Sequence, residues 1–214
     1  MNIFKDTPFS YYWIIKRIIG DNVETILDLG CGDGTLMESL LDGEDWEITG
    51  VELHQETYKK AKQKGIYKDV YNTDVVNLNR KIKSKKYDVV FSSQILEHLS
   101  KRNGRKALEV WERLASKKLI ITTPVGFVEF DPIEKKEDNN PLQKHLSGWE
   151  PEELRQLGFK VYGQGLKLIY GKHGLARLNP PLFLLWSALG LIFSPLVYFF
   201  PRLGTYMFAA KVIN

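Results

Sequence analysis

Apolar positions along this chain gather into short runs that end in glycine, polar or acidic residues, with longer amphipathic stretches between them. Five runs have the length and composition of strands: Glu24–Leu29 (ETILDL), Trp46–Val51 (WEITGV), Asp69–Tyr71, Tyr87–Phe91 (YDVVF) and Lys118–Thr122 (KLIIT). Phe9–Ile19 (FSYYWIIKRII), apolar with one basic face, predicts an opening helix whose Phe9–Trp13 aromatics either close over a ligand site or pack, packing being the preferred reading. Gly34–Leu41, the polar His54–Lys64 and Ile95–Ser116 predict the helices between strands, the last broken near Gly104. This alternation predicts an α/β fold of the doubly wound, Rossmann-like kind, a mostly parallel sheet with helices on both faces. Ligands in such sheets bind beyond the carboxyl ends of the strands, so the residues just after each strand are the ones to inspect.

The later part of the chain departs from this rhythm. Gly126–Leu142 (GFVEFDPIEKKEDNNPL) reads as a long loop, and long loops in compact domains are often functional. Pro151–Leu157 opens a short helix, Phe159–Tyr162 and Leu166–Tyr170 read as strand, and Thr205–Ile213 as the last strand. Between them Leu182–Phe200 (LFLLWSALGLIFSPLVYFF) carries no charge. As one helix it would be ~28 Å long, about the thickness of a bilayer core. A single crossing would strand Thr205–Ile213 on the wrong side of the membrane, and Pro195 and Gly190 interrupt the run. The reading is therefore one domain over residues 1–214, with an apolar helical insertion at about 172–203 between the last two strands. That insertion can enter one leaflet with Lys172, Arg177 and Arg202 at the headgroups, cap a lipophilic acceptor, form a homodimer contact, or pack on the core.

Composition adds little to this. Of the 214 residues 43% are hydrophobic and 26% charged, which is globular and not disordered. The net charge of +4 permits an anionic partner without demanding one. Arg80–Lys86 (RKIKSKK) reads as a solvated loop, and no basic, aromatic-rich patch points to nucleic acid. One cysteine, Cys31, forms no internal disulfide, and the N-terminus lacks the features of a signal peptide. The expected location is the cytoplasm, with peripheral contact on the inner membrane face.

The chemistry concentrates in Ile26–Leu36 (ILDLGCGDGTL). Gly30, Gly32 and Gly34 alternate directly after a strand and before a helix, where the chain must turn sharply and a ligand can touch the backbone. A dinucleotide fingerprint needs G-x-G-x-x-G, and Thr35 breaks it. Glu52, at the end of the second strand, lies at the spacing of a ribose-binding acid.

The tighter G-x-G-x-G preceded by Asp28 resembles the first motif of class I S-adenosylmethionine-dependent methyltransferases. Asp74-Val75 after the third strand, Ser92-Ser93-Gln94-Ile95-Leu96-Glu97-His98 after the fourth, Pro124-Val125-Gly126 after the fifth, and His145 to Trp149 followed by Pro151–Leu154 extend the resemblance over Thr25–Val161. It is nearest to the small-molecule subgroup that includes the quinone-biosynthesis O-methyltransferases. The resemblance implies a seven-stranded sheet with an antiparallel last strand and S-adenosyl-L-methionine as cofactor. It implies a binding set of Asp28, Gly30, Cys31, Gly32, Gly34, Glu52, Asp74, Val75 and Gln94, with Glu52 on the ribose and Asp74 and Val75 on the adenine. His98 and His145 are the candidate general bases for a small, lipophilic acceptor. Some relatives hold a divalent metal with Glu-x-x-Glu-His and a later histidine. Here Gln94 replaces the first acid, so no metal is expected, and Glu97, His98 and His145 form the alternative ligand set. The competing functions are an RNA or protein methyltransferase and a non-catalytic, cofactor-binding membrane adaptor.

Overall fold

The computed structural model describes residues 7–41, 43–130 and 140–213, so residues 131–139 of the long acidic loop lie outside the described residues. Helix α1 (Tyr11–Ile19) starts where Ser10 Oγ accepts the Trp13 amide and stops at Gly20, whose φ of 68° ends the helical run. Strands β1 (Thr25–Leu29), β2 (Glu47–Val51), β3 (Asp69–Tyr71), β4 (Tyr87–Ser93) and β5 (Ala115–Pro124) are parallel. Helices α2 (Thr35–Leu40), α3 (Gln55–Lys64), α4 (Arg80–Lys83) and α5 (Lys101–Leu114) connect them. After α6 (Pro151–Gln156) come β6 (Lys160–Leu166) and β7 (Gly204–Val212), and the sheet order is β3-β2-β1-β4-β5-β7-β6 with β7 antiparallel to both neighbours.

Period-two alternation explains why both faces are covered. Val89 and Phe91 of β4, Ile120 of β5 and Phe208 of β7 pack with Ile14, Ile15, Met37 and Leu40 of α1 and α2. Their neighbours Val90, Leu119, Ile121 and Met207 face the other way, against Leu108 and Trp111 of α5. The runs Val89–Phe91, Leu119–Ile121 and Met207–Ala209 are thus apolar without alternation because each side has its own helical layer.

Three expectations need correction. Arg80–Lys86 is not all loop: Asn79 Oδ1 accepts the Ile82 amide at 3.0 Å and starts α4, and buried Ile82 anchors it. Leu166–Tyr170 is not a strand: β6 ends at Leu166, and α7 (Lys167–Tyr170) buries Ile169 by a single helical turn. Gly104 does not interrupt a helix, since α5 runs through it. A Cβ there would meet Trp149 Cζ2 at 2.7 Å, so this glycine is a notch for a buried indole.

Between β6 and β7 the chain forms α7, α8 (Leu175–Leu178), α9 (Phe183–Ile192) and α10 (Ser194–Phe199). The apolar run breaks at Phe193, and Pro195 stands in the first turn of α10, where a missing amide hydrogen costs nothing. Among the described residues no helix is long and apolar enough to cross a membrane.

Candidate cofactor and acceptor site

The parallel registers bring the marked residues to one edge of the sheet. Leu29 pairs with Val51 and Ser92, Val51 with Tyr71, and Ser93 with Thr122. The segments that follow these strand ends therefore cluster at the carboxyl edge. The Gly30 and Cys31 amides both donate to the Val51 carbonyl, at 2.8 and 3.0 Å, and clamp the loop to the end of β2. Gly30 has φ 73°, and a Cβ on it would meet Ile95 Cδ1 at 2.2 Å. Gly32 has φ 57°, but a Cβ on it would meet no atom within 4 Å, so open space lies over its backbone. The first glycine permits the fold, whereas the second keeps a face of the loop clear.

Glu52 ties the two motifs together. Its Oε2 accepts the Gly32 amide at 2.9 Å and its Oε1 accepts the His54 amide at 2.7 Å. Each carboxylate oxygen retains a second lone pair for a ligand hydroxyl. Asp74 closes a turn, accepting the Val76 amide at 2.8 Å and the Asn77 side-chain amide at 3.0 Å. The Val75 carbonyl accepts the buried Trp111 indole at 2.9 Å, which fixes this turn on α5.

Two tyrosines had no visible signal in the motif pattern. Tyr67 donates to Asp28 Oδ2 at 2.8 Å and lies against Gly34 and Gly50. Burial pushes the Asp28 carboxyl up to about 7; the Tyr67 bond opposes this and the Glu52 charge adds to it. Cys31, buried in the same loop, is pushed up by burial and by the Asp28 and Glu52 charges, so it is a neutral thiol. Tyr11, one of the aromatics read as packing, does pack on Phe208 at 4.8 Å between ring centres. Its hydroxyl also shares hydrogen bonds with Ser93 at 2.7 Å and Thr122 at 2.6 Å. Gln94 completes this polar cluster, its side-chain amide donating to Thr122 Oγ1 at 3.1 Å from a backbone at φ 55°. A non-glycine residue in that region is strained, and such strain concentrates at functional sites.

Glu97, His98 and His145 meet beside this edge. Their ligand atoms lie within 4.8 Å of one another, and the imidazole centres are 4.9 Å apart. His98 Nδ1 faces the Lys144 carbonyl at 3.2 Å and His145 Nδ1 faces the Val128 carbonyl at 2.6 Å. A carbonyl only accepts, so both rings carry the proton on Nδ1. Burial lowers the His98 pKa, so that ring is neutral at pH 7 with Nε2 as acceptor. Glu97 is buried, accepts the Thr123 hydroxyl at 2.9 Å, and is pushed up to about 7 by burial.

The family model for the methyltransferase domain matches residues 27–117. The chain is 30% identical over 95 residues to the ubiquinone biosynthesis O-methyltransferase of Serratia proteamaculans; the alignment covers 43% of this chain and 39% of that protein. This chain therefore spans about two-fifths of that relative's length. The methyltransferase domain of a bacterial Hen1 (CtHen1-CN) superposes over 98% of this chain and 100% of its own, with TM-score 0.57 and 16% identity. The plantazolicin methyltransferase BpumL, solved with S-adenosylhomocysteine, covers 99% of this chain and 82% of its own, with TM-score 0.55 and 19% identity. These structures share the fold, and the family model spans the glycine loop and the strands from β1 to the start of β5. Residues 27–117 thus match the methyltransferase domain family, and the chain as a whole has the fold of methyltransferases of known structure.

Proposed function

We propose that residues 1–214 form one catalytic domain that transfers the methyl group of S-adenosylmethionine to a small, lipophilic acceptor at the inner face of a membrane. The observation that carries the reading is the clear face over Gly32 beside a carboxylate, Glu52, already held by backbone amides. Glu52 accepts the ribose hydroxyls, Asp74 and Val75 border the adenine, and Asp28, Gly30, Cys31, Gly34 and Gln94 complete the cradle. Bound S-adenosylmethionine supplies a methyl already activated on a sulfonium. The protein's share is then to align the acceptor and to take its proton. His98 Nε2 is the base, and His145 holds the opposite wall of the acceptor site.

Exposed Phe127, Leu142 and Leu146 follow β5 at the same sheet edge and favour an apolar acceptor. The name of the Serratia relative, which refers to a quinone, points the same way. Incubation with methyl-labelled S-adenosylmethionine and an extract of the source cells tests this directly. Label in the organic phase is the expected outcome. Label confined to nucleic acid, protein or polar small molecules would overturn the lipophilic acceptor.

Asp28 makes the cofactor step pH-dependent. An acid whose folded pKa is raised favours the folded apo-protein at low pH, and that contribution is lost as pH rises through about 7. The cationic cofactor favours the ionised form, so binding draws the proton off. The dissociation constant for S-adenosylmethionine is expected to fall by up to about tenfold per pH unit below 7 and to level off above it. Calorimetric titrations at pH 6, 7 and 8 check this, and Asp28→Asn is expected to flatten the dependence. A flat profile in the wild-type protein would remove Asp28 from the cofactor step.

A further inference from the structure

The α9–α10 hairpin is held on one side and bare on the other. Gly190 of α9 lets Tyr170 approach so closely that a Cβ would meet the phenol oxygen at 2.4 Å. Gly163 of β6 does the same for α10, where a Cβ would meet the Val197 carbonyl at 2.4 Å. Tyr198 stacks on Tyr162 at 4.7 Å and meets Phe9 at 5.4 Å, fixing α10 to β6 and to the approach of α1. Ser194 Oγ caps the joint by donating to the Gly190 carbonyl at 2.8 Å.

The outward side is apolar without interruption. Of the ten residues of α9 only Gly190 is buried, although the helix has no polar face. Leu184 is 82% exposed, and Ile192 and Phe199 are each 68% exposed. A helix that is apolar all round belongs in a core or in lipid, and this one is in no core.

The surrounding charge says what covers it. From Arg155 to the end of the sequence there are seven Lys and Arg residues and no Asp or Glu. Arg155 and Arg202 share the single carboxylate of Glu152, and Lys211 pairs with Glu112. Lys167 and Arg177, on the short helices leading into the hairpin, form no ion pair among the described residues. Lys172 has only a 3.5 Å contact with a Glu129 that is itself 81% exposed. A contiguous apolar face bordered by Lys167 and Arg177, with Lys172 held only by an exposed Glu129 and no acid from Arg155 to the end of the sequence, is complementary to an anionic bilayer. A second copy of the chain would bring the same cations against each other.

Topology sets the orientation. Leu166 at the end of β6 pairs with Gly204, and Pro124 at the end of β5 pairs with Tyr206. The hairpin therefore leaves the sheet at the carboxyl edge, the edge that carries the glycine loop and the two histidines. We infer that α9 and α10 insert into one leaflet of an anionic membrane, with Lys167, Lys172 and Arg177 on the headgroups, so that the carboxyl edge faces the bilayer. This deepens the membrane-surface reading above by naming the docking element and the lipid charge that it requires.

The test is flotation of the full-length protein with vesicles of phosphatidylcholine alone, and of phosphatidylcholine with about one-third phosphatidylserine. Most of the protein is expected to float with the anionic vesicles and little with the neutral ones. Leu184→Asp combined with Ile192→Asp and Phe199→Asp is expected to cut partitioning at least tenfold on both. These side chains are exposed, so the thermal shift on adding S-adenosylhomocysteine should stay as in the wild type, which confirms folding and keeps the cofactor reading separate. Lys167→Glu with Arg177→Glu should reduce binding to anionic vesicles alone. Failure of the wild type to float would overturn the inference. So would a stable dimer in solution that the three aspartates dissociate. Unaltered flotation in the triple variant would overturn it too.

Discussion

Glu52→Ala is expected to weaken S-adenosylhomocysteine binding by about a hundredfold or more, two hydrogen bonds to a charged acceptor being worth about 1.5–3 kcal/mol each. The carboxylate is already oriented before any ligand arrives, because one oxygen holds the Gly32 amide and the other the His54 amide. Preorganisation of this kind removes the ordering cost from the binding step. The alanine variant loses the ligand contacts and also releases the Gly32 amide, leaving the loop held to the second strand by the Gly30 and Cys31 amides on the Val51 carbonyl. Glu52→Gln keeps the shape but replaces one acceptor with a donor that opposes a backbone N–H, and a loss intermediate between the two is expected. Titration calorimetry, with circular dichroism to verify the fold, reads both. A dissociation constant within threefold of wild type in the alanine variant would show that the ribose is held elsewhere.

That prediction was accessible from sequence because the elements that create it are local. A strand pattern, three alternating glycines and an acid after the next strand lie within a few turns of each other, and their registers follow from a parallel sheet. The five first strands and the antiparallel last strand are found where the apolar runs place them. What was not legible depends on partners distant in the chain. Gly104 looked like a helix breaker because glycine is a local punctuator, and its role as a notch for Trp149 has no local signature. Tyr67 and Tyr11 carry no motif; only the fold brings one against Asp28 and the other into the Ser93, Thr122 and Gln94 cluster. Leu166–Tyr170 was ambiguous for another reason: five mostly apolar residues fit one helical turn as well as a short strand, and Gly171 settles it by halting the turn. The polar sequence of Arg80–Lys83 hid a helix that depends on one cap and one buried isoleucine.

His98→Ala is expected to lower kcat by about 10²–10⁴-fold with a hydroxyl acceptor, the usual range for loss of a general base, and to leave S-adenosylhomocysteine affinity within about twofold. The ring is suited to this task because the Lys144 carbonyl fixes the tautomer and burial keeps the ring neutral. Its depressed pKa gives the wild-type rate a rise through an acid limb centred below the ordinary histidine value, and His98→Ala should abolish that limb. The neighbouring carboxylate separates two versions of the chemistry. Glu97, whose carboxyl burial pushes up to about 7, is bound to Thr123 and gives the pair of imidazoles one oxygen ligand, a set suited to a borderline dication rather than to magnesium. If His98 works as a base, extensive chelation leaves kcat within about twofold, and Glu97→Gln acts mainly on stability by keeping the Thr123 hydrogen bond but not the charge. If chelation abolishes turnover and a nitrogen-binding dication restores it, the same three residues are metal ligands and the base assignment falls. Measuring the pH–rate profile of the wild type and of His98→Ala, each with and without chelator, separates the two outcomes in one experiment.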